Sequence, residues 1–106
     1  MDNDAGGVAG GIVIKPRPAN RQALADLGIT AFERLKKIRG LVVADACQLL
    51  ASDYAEEKES GRRLWVFGVK VKKVEVYVKI QFGAYNDAPL CISFHRALFP
   101  LGYLFR

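Results

Sequence analysis

The apolar residues of this chain change their period once, and that change limits what the chain can fold into. Between residues 20 and 55 they recur at helical spacing, and between residues 64 and 95 they alternate, so a helical half followed by a sheet half is predicted. In the first half Asn20 is a good N-cap for the run RQALADL, and Gly28 stands where a C-terminal stop is expected. Thr30 followed by Glu33 fits a capping box. Phe32, Leu35 and Ile38 then share a stripe with charged residues between them, which gives a second helix with Gly40 as its weak point. Val43, Ala46, Cys47 and Leu50 predict a third helix, or a continuation of the second, over residues 42–55. The charged stretch EEKESGRR reads as an exposed loop.

In the second half residues 64–71 and 74–82 are rich in β-branched and aromatic side chains and flank Lys72 and Lys73, the pattern of a hairpin. GAYNDAP over residues 83–89 is dense in turn formers, and residues 90–95 supply the third strand of a meander. The ending RALFPLGYLFR is apolar, but Pro100 and Gly102 bar one long helix, so it is expected to pack over an edge or end of the sheet. Residues 1–19 are read as a flexible tail, with a short strand at 12–14 that Pro16 and Pro18 terminate. Residues 20–106 form one α+β domain, N-terminal helices packed on a C-terminal antiparallel sheet, and 106 residues suffice for a single modest core.

Charge is distributed unevenly. Residues 1–62 hold nine Lys/Arg against nine Asp/Glu, so the net +5 belongs to the last 44 residues. There Arg63, Lys70, Lys72, Lys73, Lys79, Arg96 and Arg106 face only Glu75 and Asp87. Such a bias favours an anionic partner, with a solvated basic surface as the plainer alternative. The two cysteines, Cys47 and Cys91, have no metal-binding spacing and read as small buried hydrophobes. One histidine cannot build a His-rich metal site, so no metal and no small-molecule cofactor is expected. No apolar run approaches the roughly 18 residues that span a bilayer, so no membrane partner is expected. The acidic opening lacks a basic leader, which makes a cytoplasmic protein the expectation.

Alternation assembles a candidate site. In the second strand Val74, Val76, Val78, Ile80 and Phe82 point one way and Glu75, Tyr77, Lys79 and Gln81 the other. In the third, Leu90, Ile92 and Phe94 are the apolar set and Cys91, Ser93 and His95 the opposite one. With both apolar sets against the helices, Tyr77, Lys79, Ser93 and His95 share the other face. That group suits RNA cleavage without a metal: His95 transfers a proton, Lys79 neutralises the charge building on phosphorus, and Tyr77 donates a hydrogen bond, stacks or moves a proton. Arg62, Arg63, Lys70, Lys72, Ser93 and Arg96 are the candidate RNA contacts. A structural histidine at a strand end and a lysine kept for solubility are the plainer readings of His95 and Lys79. Trp65 and Phe67 fill the core, pack under the tail or stack on bases.

The blocks NRQALADLGIT, LWVFG, VEVYVKI and CISFH, with FPLGYLF beyond, resemble the MqsR family of type II toxin–antitoxin toxins over residues 20–105. The resemblance implies a RelE-like fold, metal-independent cleavage of mRNA leaving 2′,3′-cyclic phosphate ends, and neutralisation by a cognate antitoxin protein. It carries the family's active tyrosine onto Tyr77, the basic position that closes the CISFH block onto His95, and the lysine of the VYVKI block onto Lys79. The chain departs from better-known members at Glu56 (or Asp45, in a second alignment) and at Val66, where those members carry lysine and glutamine. The rival readings are a non-catalytic RNA- or ribosome-binding module using the same face, and an interaction domain docking an acidic protein.

Overall fold

Two consecutive helices are bounded by local signals, and the computed structural model, which describes residues 11–48, 63–84 and 88–106, shows where each signal acts. Helix α1 (Pro18–Leu27) begins on Pro18, with Arg17 as an extended N-cap that makes no side-chain cap. Proline at the first helical position loses no intrahelical bond, because that N–H has no acceptor anyway. Pro18 therefore opens the helix instead of ending regular structure, and Asn20, expected as the cap, lies inside the first turn. Gly28 stops α1 in the left-handed region at φ 66°, with its N–H on Ala25 O and that of Ile29 on Leu24 O. Helix α2 (Ala31–Arg39) opens on the expected capping box, Glu33 N–H to Thr30 Oγ1 at 3.1 Å and Thr30 N–H to Glu33 Oε1 at 2.8 Å. The backbone bond from Thr30 holds the Glu33 carboxyl below its usual range.

The third helix does not form where it is described. Val43–Asp45 is a single 3-10 turn, and Ala46–Cys47 is strand β2; the expectation from residue 49 onward lies outside the described residues. Pairing of Ala46 with Phe67 and of Cys47 with Val66 supplies the long-range hydrogen bonds that override the helical pattern. With β1 (Val13–Ile14), β3 (Arg63–Val71), β4 (Val74–Ala84) and β5 (Ala88–Arg96), the described residues make a five-stranded sheet of order β1-β5-β4-β3-β2. The β3–β4 hairpin turns at Lys72 and Lys73, both with positive φ (50° and 69°), the backbone of a two-residue turn whose twist suits a hairpin. The sheet is mixed, not purely antiparallel, because β1 runs parallel to β5. The fold therefore reaches back before residue 20: Gly11 is buried, and residues 13–19 hold β1 and the start of α1.

One irregularity reassigns a face. Lys79 pairs with Ser93 but Ile80 pairs with Cys91, so Ile92 is the extra residue of a bulge. Alternation through β5 breaks there. Cys91 and Phe94 join Val76, Val78 and Ile80 in the core under Ala23, Leu27 and Ile38. Leu90 and Ile92, expected on that side, pack instead with Leu64 and Val13 in a second cluster. Asn20 locks α1 to the bulged strand. Its amide donates to Lys15 O and Ile92 O, both at 2.9 Å, and accepts the Phe94 N–H at 3.0 Å, so one side chain replaces the neighbouring strand that this part of β5 lacks. The tail meets β2 as expected: Gln48 N–H bonds Gly102 O, Leu104 N–H bonds Ala46 O, and Tyr103 bridges to Cys47.

Candidate nucleic-acid interface

Strand register brings the predicted quartet together. Tyr77 lies opposite His95 and Lys79 opposite Ser93, on the side of the sheet away from the helices. The rings of Tyr77 and His95 are stacked, centroids 5.4 Å apart and planes 17° from parallel. His95 Nδ1 lies 2.9 Å from Arg96 O. A carbonyl only accepts, so Nδ1 carries the proton of that bond and the neutral ring keeps its lone pair on Nε2. Tyr77 and His95 are half-buried.

The middle of this face is closed. Lys79 is 8% exposed, Ser93 5% and Gln81 5%, and Val66, at the position where glutamine was expected, is 1% exposed beside Lys79. Tyr103 closes the end nearer the hairpin turn. Its hydroxyl donates to Glu75 Oε2 at 2.8 Å, the Leu101 N–H reaches Glu75 Oε1 at 3.3 Å, and burial followed by the Glu75 bond pushes the phenol up to about 12. The ring crosses β3 at Gly68, where a Cβ would come within 2.8 Å of Tyr103 Cζ and 2.9 Å of Leu101 Cδ1. Glu75 is thus committed to holding the tail and not to proton transfer.

The remaining candidates do not gather here. Arg63 pairs with Phe82 and Arg96 with Val76, which puts both on the helix side. Lys70 pairs with Glu75 and so shares the side of the quartet, but it stands at the hairpin-turn end, beyond Tyr77. Lys72 Nζ donates to Gly28 O at 2.6 Å and so closes the C-terminus of α1. Arg62 and Glu56 lie outside the described residues. Trp65 and Phe67, ring centroids 6.4 Å apart, line a groove on the helix side with Leu41, Val43 and Phe105, and Trp65 stays 42% exposed.

Sequence reasoning missed Arg17. Its Nη1 donates to Ser93 Oγ at 3.2 Å and lies 3.4 Å from Ile92 O, which brings a guanidinium to the edge of the same face. Alternation contains no signal for it, because Arg17 precedes a helix and reaches the sheet only through packing. The thiols are not nucleophiles: burial pushes Cys91 up to about 12 and Cys47 up to about 11. Among the described residues no cluster of three His, Cys, Asp or Glu could hold a metal ion, and no helix is long and apolar enough to cross a membrane. No protein-family model, curated protein or solved structure matches the chain.

Proposed function

We propose that this chain is the toxin of a type II toxin–antitoxin pair, a RelE-like endoribonuclease that cuts mRNA without a metal and is held in check by a cognate antitoxin protein. The observation that carries this reading is the Tyr77–His95 stack with His95 Nδ1 tied to a carbonyl. Nε2 takes the proton of the RNA 2′-hydroxyl; the 2′-oxygen bonds to phosphorus; the 5′-oxygen leaves with a proton from the Tyr77 hydroxyl, which solvent restores. The products are a 2′,3′-cyclic phosphate and a 5′-hydroxyl. Lys79, being buried, acts through its field on the charge building at phosphorus.

The burial of Lys79 and Ser93 favours a second reading, an RNA- or ribosome-binding module that uses the same face without cutting. Induced expression separates the two. Under the toxin reading the wild-type chain arrests growth and shortens transcripts. His95→Ala lowers purified cleavage by roughly a hundredfold to ten-thousandfold, and Tyr77→Phe lowers it in the same direction. A wild type that leaves transcripts intact, or variants as toxic as wild type, removes the nuclease and leaves the binding module.

A further inference from the structure

We propose that Arg17 is a phosphate-contacting residue of this face, taking an RNA phosphate on the side of its guanidinium formed by Nε and Nη2. The inference rests on the RNA reading above and names the group that meets the backbone of the strand. Lys79 is too buried to do so directly.

Three observations carry it. First, the guanidinium is anchored through one nitrogen only: Nη1 is engaged with Ser93 Oγ and Ile92 O, and Arg17 makes no ion pair with a carboxylate among the described residues. The Nε–Nη2 edge, the pair of parallel donors that matches two phosphate oxygens, is left for a ligand. Second, the anchor is built into the fold. Arg17 stands between Pro16 and Pro18, its N–H bonds Lys15 O at 2.8 Å, and Asn20 fixes the following turn to β5. A proline after it holds Arg17 in extended backbone, φ −97° and ψ 144°, before any ligand arrives. Third, Ser93, which holds the guanidinium, is two residues from His95 on one strand, a backbone separation of about 7 Å along the same face, comparable to one phosphate-to-phosphate step of a single strand. A strand whose sugar meets His95 therefore brings an adjacent phosphate to Arg17.

The test uses a single-stranded RNA methylated at every 2′-oxygen, which cannot be cut by this chemistry, with binding read by fluorescence anisotropy. Arg17→Gln is expected to weaken binding roughly tenfold to a hundredfold, the range of a lost charge-assisted pair. Arg17→Lys, which keeps the charge and loses the fork, falls between. Arg39→Gln, the same charge removed from the end of α2, stays near wild type. Equal affinity of Arg17→Gln and wild type overturns the proposal while leaving cleavage by Tyr77 and His95 open to its own assay. A wild type that does not bind the probe overturns both. Weakened binding by Arg17→Gln with no cutting of unmethylated RNA upholds Arg17 and removes the nuclease. Thermal unfolding accompanies each variant. Where Arg17→Gln does not fold, Arg17→Lys decides: reduced affinity supports the contact and wild-type affinity overturns it.

Discussion

Asn20 shows how much one side chain can carry when all its polar atoms are satisfied. Both amide hydrogens and the carbonyl oxygen are bonded, and the residue is 1% exposed. Asn20→Ala strands the buried Phe94 N–H and leaves Ile92 O only the long 3.4 Å contact from Arg17, while Lys15 O keeps the Arg17 N–H; at roughly 1–3 kcal/mol for an orphaned group the loss is about 2 kcal/mol, measurable as a lower urea midpoint at unchanged slope. Asn20→Asp keeps the acceptor but turns a carboxylate oxygen toward two carbonyls, so it is expected to be no milder; an Asp variant of wild-type stability contradicts this account. Gly68 makes a complementary case of space instead of bonding. Gly68→Ala drives a methyl into Tyr103 and is expected to cost about 2 kcal/mol, in the range of overpacked sites. In a Tyr103→Ala background the same change should cost markedly less, since only Leu101 Cδ1, the movable end of a side chain, is left in its way, and a double-mutant cycle without coupling would show that the approach of Tyr103 is not what reserves the position for glycine.

At the scale of elements, the β3–β4 turn combines a favourable shape with unfavourable residues. Lys73 sits at φ 69°, a region that costs a residue with a Cβ about 1 kcal/mol or more. Lys73→Gly relieves that strain, partly offset by the greater freedom of glycine in the unfolded chain, and is expected to stabilise by about 0.5 kcal/mol. Calorimetry showing a lower melting temperature for this variant would refute it. Lys72 is not equivalent, since its ammonium closes α1 at Gly28. The same contrast explains what was legible in the sequence. The stop at Gly28, the Thr30–Glu33 box, the hairpin and the shared side of Tyr77, Lys79, Ser93 and His95 depend on spacing within a few residues or on strict alternation, which sequence records directly. The bulge at Ile92 does not, because LCISFH alternates on paper whether or not a residue is extruded. VVADAC suits a helix stripe and a strand equally, and only pairing with β3 decides. Asn20 and Arg17 act across the 70 or more residues that separate them from β5, so their partners are set by packing and not by anything local.

At the scale of the whole molecule, the helix-side core and the junction of the tail with β2 each bury a group whose burial favours its protonated form. Cys91 belongs to the core under the helices and is fully buried, while Tyr103 and Cys47 lie together where the tail meets β2. Burial moves Cys91 from 9.0 to about 12 and Cys47 from 9.0 to about 11, and burial with Glu75 moves Tyr103 from 10.0 to about 12. In every case the folded protein holds the proton more tightly than the unfolded chain does. Their contribution to stability is therefore complete below pH 9, and it falls as pH rises because the unfolded state releases protons that the native state keeps. Loss begins near pH 9 with the thiols, is joined near pH 10 by the phenol, and ends near pH 12. Each proton involved can contribute at most about 1.4 kcal/mol per pH unit to the slope. Urea unfolding at pH 7, 8, 10 and 11 should show little change below pH 9 and a steep decline above it. Cys91→Ala, less stable at pH 8 through lost packing, should decline more gently between pH 9 and 11; a slope equal to wild type would mean that the buried thiol is not what makes the helix-side core sensitive to alkali.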